Sequence, residues 1–165
     1  MALEIERRYL VEGFNWKIGL LGKTLIQSYL PTEDLFTCRI RIATDSTTLA
    51  TESWLTLKLP DQGFTRLEFE YPIPINDAEI LIKKAGKQNI SKIRHELNFE
   101  GHEWIIDEFL DDNLGLIMAE IELNSETESF ARPPWIGLEV THDHRYNNSQ
   151  LAKNPFGKWN LDSAE

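Results

Sequence analysis

The sequence predicts an α+β chain that is mainly β, and three observations predict it. Polar and apolar residues alternate with a period of two in segment after segment, the signature of strands with unlike faces. Turn-forming clusters such as Pro60-Asp61-Gln62-Gly63 and Asp111-Asp112-Asn113 separate those segments. Helical spacing over more than a single turn is confined to two places, one after residue 76 and one before residue 153.

Leu3 to Val11 reads as the first strand, with Glu4, Glu6 and Arg8 on one face and Leu3, Ile5, Tyr9 and Val11 on the other; Arg7 breaks the pattern. Glu12 to Lys23 is a short mixed stretch with Trp16, Ile18, Leu20 and Leu21, which reads as a turn of helix or a loop with an apolar anchor. Leu25 to Leu30 is a second strand, closed by Pro31. Phe36 to Ala43 is a third, with Arg39 and Arg41 opposite Cys38, Ile40 and Ile42. Trp54 to Leu59 sets Thr56 and Lys58 against three leucines. Thr65 to Ile73 sets Arg66, Glu68 and Glu70 against Leu67, Phe69 and Tyr71.

A helix is expected from an N-cap at Asn76, with Ile80, Leu81 and Ala85 as its apolar stripe and Gly86 as its stop. Ile90 to Leu97 carries Lys92, Arg94 and Glu96 on one face. Gly101 turns the chain into Glu103 to Leu110, which holds Asp107. Gly115 to Leu123 opposes Glu120 and Glu122 to Ala119, Ile121 and Leu123. Ile136 to Thr141, with Glu139, is the last strand. Tyr146 to Lys153 reads as a short helix, and Pro155, Phe156 and Trp159 as a tail docked outside.

The bulk numbers bound the function. The 165 residues suffice for one domain with a core, expected to span residues 1–165. Seventeen basic against 27 acidic residues give a net charge of −10, which argues against nucleic acid and acidic membranes as partners. An anionic substrate then needs locally concentrated positive charge or bound cations. The single cysteine, Cys38, makes no internal disulfide and fits a cytoplasmic location. No apolar run approaches the ~20 residues of a membrane helix.

The polar faces are ionic in doublets. Arg8, Arg39, Arg41, Lys58, Arg66, Lys92 and Arg94 recur at alternate positions, as do Glu4, Glu6, Glu68, Glu70, Glu96, Asp107, Glu120, Glu122 and Glu139. Alternation alone leaves two arrangements open. An ordinary antiparallel sheet turns such a face to water. A closed barrel of about eight strands turns it inward, as a polar tunnel whose apolar outside must be covered. In the tunnel, guanidinium forks suit phosphate oxygens. The carboxylates suit hard divalent cations, Mg2+ or Mn2+, that bridge to those phosphates.

The ordered series Glu4-Ile5-Glu6-Arg7-Arg8, Gln27-Ser28-Tyr29-Leu30, Arg39-Ile40-Arg41, Leu55-Thr56-Leu57-Lys58, Arg66-Leu67-Glu68-Phe69-Glu70, Lys92-Ile93-Arg94, Asp107-Glu108-Phe109, Ala119-Glu120-Ile121-Glu122-Leu123 and Gly137-Leu138-Glu139-Val140-Thr141 resembles the CYTH superfamily, or triphosphate tunnel metalloenzymes, in its single-domain bacterial branch. The resemblance implies an eight-stranded antiparallel β-barrel tunnel with flanking helices. It implies cleavage or cyclisation of a triphosphate with Mg2+ or Mn2+, and a homodimer. Inorganic tripolyphosphate hydrolysis is the leading expectation; adenylate cyclase chemistry, thiamine triphosphate hydrolysis and a non-catalytic polyphosphate- or nucleotide-binding module are the alternatives.

Carried over residue by residue, Glu4, Glu6 and Arg8 are the expected catalytic group. Arg39, Arg41, Lys58, Arg66, Lys92 and Arg94 bind substrate. Glu4, Glu6, Glu68, Glu70, Asp107, Glu120, Glu122 and Glu139 are the metal-site carboxylates. Two departures stand out. Arg8 replaces the family lysine of Glu-x-Glu-x-Lys, keeping the charge but not the readiness to lose a proton. Ser28 replaces the glycine of Gln-Gly-Tyr-Leu, where it stiffens a turn or narrows a tunnel mouth. His142-Asp143-His144 has metal-like spacing but reads as a surface loop, and the five tryptophans as outer packing or a subunit contact.

Overall fold

Strands whose two faces differ this strongly gain by closing, because closure separates the ionic face from the apolar one and leaves no open edge. A computed structural model describes residues 3–33, 36–60 and 63–159. Among them are β1 (Leu3–Val11), β2 (Lys23–Leu30), β3 (Thr37–Asp45), β4 (Thr51–Pro60), β5 (Thr65–Pro72), β6 (Asn89–Phe99), β7 (His102–Phe109), β8 (Ile117–Glu122) and β9 (Ile136–Glu139). The helices are α1 (Ile75–Ala85) and α2 (Asn148–Lys153). Asp61 and Gln62, in the turn expected after Pro60, lie outside the described residues.

The sheet runs β5-β4-β3-β2-β6-β7-β8-β1 and closes by pairing β1 with β5, an eight-stranded antiparallel barrel. β9 is a ninth strand outside the ring, laid on β1. β1 has three partners. Glu6 to Leu10 pair with β8, Leu3 to Ile5 with β5, and Tyr9 and Val11 with β9. The β6–β7 hairpin turns on Glu100 and Gly101, both with positive φ (49° and 85°), the two-residue loop that suits strand twist.

Directly opposed residues share a face, so the register fixes what points into the lumen. Glu6 faces Glu122, Arg8 faces Glu120, Glu4 faces Arg66, Lys58 faces Glu68 and Arg94 faces Asp107. The outside of β1, β7 and β8 is apolar. Ile5, Tyr9, Trp104, Ile106, Ala119 and Ile121 pack there beneath Trp16 and Trp135. Trp104 is fully buried and meets Trp135 edge-on with ring centroids 5.5 Å apart. Truncating a side chain so enclosed costs about 3–5 kcal/mol. α1 packs on the outside of β2, β3 and β4.

Several expectations shift. The first helix starts at Ile75 behind Pro74, with no capping side chain, so Asn76 lies inside its first turn. Its inner face is Ala78, Leu81, Ile82 and Ala85, whereas Ile80 is exposed. Ser28 is at neither a turn nor a mouth. It sits mid-strand on the outer face of β2, fully buried, hydrogen-bonded to Asn89 Oδ1. Trp54 stands opposite Arg41 on the inward register, not in the outer packing.

The C-terminal segment does not dock on the outside of the barrel. Leu151, Ala152, Tyr146 and Val140 meet the inward residues Tyr29, Ile90, Phe109 and Met118 and close one end of the lumen; Phe156 and Trp159 pack behind them.

Candidate active site

The barrel encloses a cavity of about 360 Å³ whose lining includes Glu4, Glu6, Arg8, Arg39, Arg41, Lys58, Arg66, Glu68, Glu70, Arg94, Glu120 and Glu122. Twelve of the expected site residues thus meet in one space. A broader recess of about 800 Å³ adjoins it at the mouth between the ends of β2, β3 and β4 and helix α2. The charges are sorted by wall. β3, β4 and β6 supply Arg39, Arg41, Lys58 and Arg94, while β8, β1 and β5 supply most of the carboxylates.

The basic wall is only partly neutralised. Arg39 donates Nη2 to Thr56 Oγ1 (2.9 Å) and Glu70 Oε2 (3.2 Å), and its buried Nε has no hydrogen-bond partner among the described residues. Arg41 donates Nε to Gln27 Oε1 at 3.3 Å and has no ion pair among the described residues. Burial, with the like charges of Arg39 and Arg94 beside it, pushes Arg41 down to about 9. Arg94 is the opposite case. Burial opposes its charge, but a bidentate grip on Asp107 (2.8 and 2.7 Å) and Glu120 at 3.4 Å hold it well above the ordinary range.

On the acidic wall, Lys58 Nζ contacts Glu4 Oε1 and lies 2.8 Å from Glu68 Oε2. Burial and the neighbouring Glu6 push Glu4 up to about 8. Burial works against Glu6 as well, yet Lys58, Arg8 and Arg66 outweigh it and hold Glu6 below the usual carboxylate range. Burial, Glu68 and Glu6 raise Glu122.

A divalent cation suits this donor set. Glu4 and Glu68 share a carboxyl–carboxylate hydrogen bond when Glu4 is protonated. When both are ionised, neither Glu4 Oε2 nor Glu68 Oε2 has an aligned donor among the described residues, although an ammonium lies 2.8 Å from Glu68 Oε2. Carboxylate oxygens in that position are what a hard cation satisfies. Among the described residues no three acidic, histidine or cysteine side chains already stand together as an ion cage. The ligands would be drawn from Glu4, Glu6, Glu68, Glu120 and Glu122.

Three expected residues lie elsewhere. Lys92 and Asp107 point into the lumen but lie past the open cavity, fully buried against each other at the level the C-terminal segment closes, with Lys92 Nζ also donating to Asn148 Oδ1 at 3.0 Å. Glu139 is opposite Tyr9 on the outer face, where it accepts from Thr141 Oγ1 (2.8 Å) and lies 3.8 Å from Arg7. Conversely, Tyr29, Thr37, Glu103, Asn147, Asn148 and Ser149 line the cavity unannounced. Glu103 shares the parity of Asp107 and was readable from it. The two asparagines and Ser149 arrive with the C-terminal segment, which no local pattern places.

The family model of the CYTH domain matches residues 2–153. The chain belongs to the CYTH family. Among CYTH relatives, the inorganic triphosphatase of Acetivibrio thermocellus is 42% identical over 157 residues, 94% of this chain and 97% of that protein. The inorganic triphosphatase of Nitrosomonas europaea is 34% identical over 153 residues, 90% of this chain and 96% of that protein. A crystal structure of an inorganic triphosphatase superposes with a TM-score of 0.66 at 33% identity, covering 92% of this chain and 95% of that one.

Proposed function

We infer that this chain is a divalent-cation-dependent hydrolase of a linear triphosphate, with inorganic tripolyphosphate as its substrate. The observation that carries the reading is Arg41, a guanidinium with no ion pair among the described residues, set between Arg39 and Arg94 on the wall of the cavity. Arg39 and Arg94 are partly neutralised by Glu70, Asp107 and Glu120, whereas Arg41 is left beside them for a multiply charged anion to neutralise. The identities shared with the two inorganic triphosphatases support the same reading.

Arg39, Arg41, Lys58, Arg66 and Arg94 bind and orient the phosphates. Such positioning is the larger part of phosphoryl-transfer catalysis. Glu6 and Glu68 stay ionised beside Lys58 and can accept hydrogen bonds from the water that attacks the terminal phosphorus in line. Phosphate and pyrophosphate are the products. A bound Mg2+ or Mn2+, held by Glu4, Glu6, Glu68, Glu120 and Glu122, would neutralise developing charge and acidify water. Lys92 acts from the closed end of the lumen, sharing Asp107 with Arg94 and so fixing the Arg94 fork.

The finer points belong to the same reading. The chain is one domain over residues 1–165 and cytoplasmic, which its length and lone cysteine support, and it binds neither nucleic acid nor membrane, which the net charge of −10 supports. No helix among the described residues is long and apolar enough to cross a membrane. A homodimer is supported by the exposed Phe69 and Tyr71 on the outside of β5, and sedimentation tests it. The deciding experiment incubates the protein with tripolyphosphate, ATP or thiamine triphosphate and Mg2+ or Mn2+. Phosphate release fastest from tripolyphosphate is expected. Cyclic AMP from ATP, or binding without turnover, overturns the reading.

A further inference from the structure

Arg8 stands where the resemblance leads one to expect a lysine, and it is spent differently from the other lumen cations. It is 4% exposed. Its two terminal nitrogens, the fork that would embrace a phosphate, already donate to backbone carbonyls. Nη1 donates to Tyr146 O and Nη2 to Thr141 O, each at 3.1 Å. Its backbone joins the same segment. Arg8 N donates to Thr141 Oγ1 at 3.1 Å, and Val140 N donates to Arg8 O at 2.8 Å. Nε has no hydrogen-bond partner among the described residues and lies 3.9 Å from Glu6 Oε1.

The segment so held crosses the end of the lumen and brings Asn147, Asn148 and Ser149 to the cavity. It has a second tether in Lys92, which donates to Asn148 Oδ1, and an apolar stopper in Leu151. We propose that Arg8 is a positioning residue: it fastens the segment from Thr141 to Ser149 across the lumen end and acts on the reaction through that cap, not as a ligand of the phosphates. A lysine there carries the same charge on one nitrogen and cannot reach both carbonyls with a planar fork.

The test separates tether from charge. Arg8→Lys keeps the cation, and Leu151→Ala loosens the cap from the side away from the cavity. Backbone amide exchange at Tyr146 and Leu151, whose amides are bonded to Asp143 O and Asn147 O, is expected to speed up about tenfold or more in both variants. The kinetic arm rests on the triphosphatase reading. There kcat falls in both variants while KM for tripolyphosphate stays within about threefold, and the double variant is no worse than the worse single one. Arg8→Lys with native exchange and a raised KM makes Arg8 a phosphate ligand and overturns the proposal. If Arg8→Lys fails to fold, Leu151→Ala decides, because a fast-exchanging cap with native kcat also overturns it. A parent protein with no turnover of tripolyphosphate sinks the triphosphatase reading, and the exchange arm still decides the tether.

Discussion

Along the lumen one inward register is ionic toward one end and apolar toward the other. In β1 it runs Glu4, Glu6, Arg8 and then Leu10; in β8, Glu122, Glu120 and then Met118; in β6, Arg94, Lys92 and then Ile90. β7 alternates more finely, with Glu103, Ile105, Asp107 and Phe109. The apolar positions meet Leu116, Val140 and Leu151, while the ionic ones meet one another across open space. Parity therefore decides which side of the wall a residue occupies. Its level along the strand decides whether that side is packed or solvated. The border falls at Lys92, Asp107 and Arg8, cations and a carboxylate that are buried like core residues yet paired like site residues.

That border is where the contrast breaks most easily. Asp107 neutralises both Lys92 and Arg94, so Asp107→Asn leaves two buried cations short of a partner. Urea unfolding is expected to register a loss of about 3–5 kcal/mol. A loss below about 1 kcal/mol would mean that water reaches this level. On the ionic side, Glu4→Ala or Glu122→Ala is expected to lower cation-dependent phosphate release by about a hundredfold or more while circular dichroism stays native. Native rates would remove both from the site.

A milder probe is pH. Glu4 titrates at about 8 in the folded chain against an ordinary 4.5. Between those values the folded state keeps a proton that the unfolded state has released, so cation-free stability falls as pH rises through that window. Glu4→Gln should flatten the slope, and an unchanged slope would place the proton elsewhere. The smallest effect belongs outside the ring. Glu139→Gln touches a half-exposed contact with Arg7, and phosphate release is expected to change by less than about twofold. A large loss would show that β9 reaches the lumen.

Much of this was legible because a period of two is a strict rule. Arg39 with Arg41, Glu68 with Glu70, and Glu120 with Glu122 must share a face, and the register then brings the faces together. Closure itself is not encoded in alternation, which an open sheet satisfies equally; the ordered motif series pointed to it. Glu139 misled because parity orients a residue only relative to its own sheet, and β9 lies beside the ring. Leu151 and Ala152 mark a helix with an apolar side, but a helix of six residues can bury that side on any apolar surface. The surface that receives it, Phe109 and Met118, is about forty residues away in sequence. Asn147, Asn148 and Ser149 were hidden for the same reason.

β1 is partnered on both flanks and at both ends, by β5, β8 and β9. Nine residues therefore stitch the ring shut, hold the stopper in place and carry three of the charges that face the lumen. Damage to this ribbon cannot be confined to structure or to chemistry. A chain shortened past Glu6 would lose the seam and two acids in one cut, and no tightening elsewhere in the sheet could restore either.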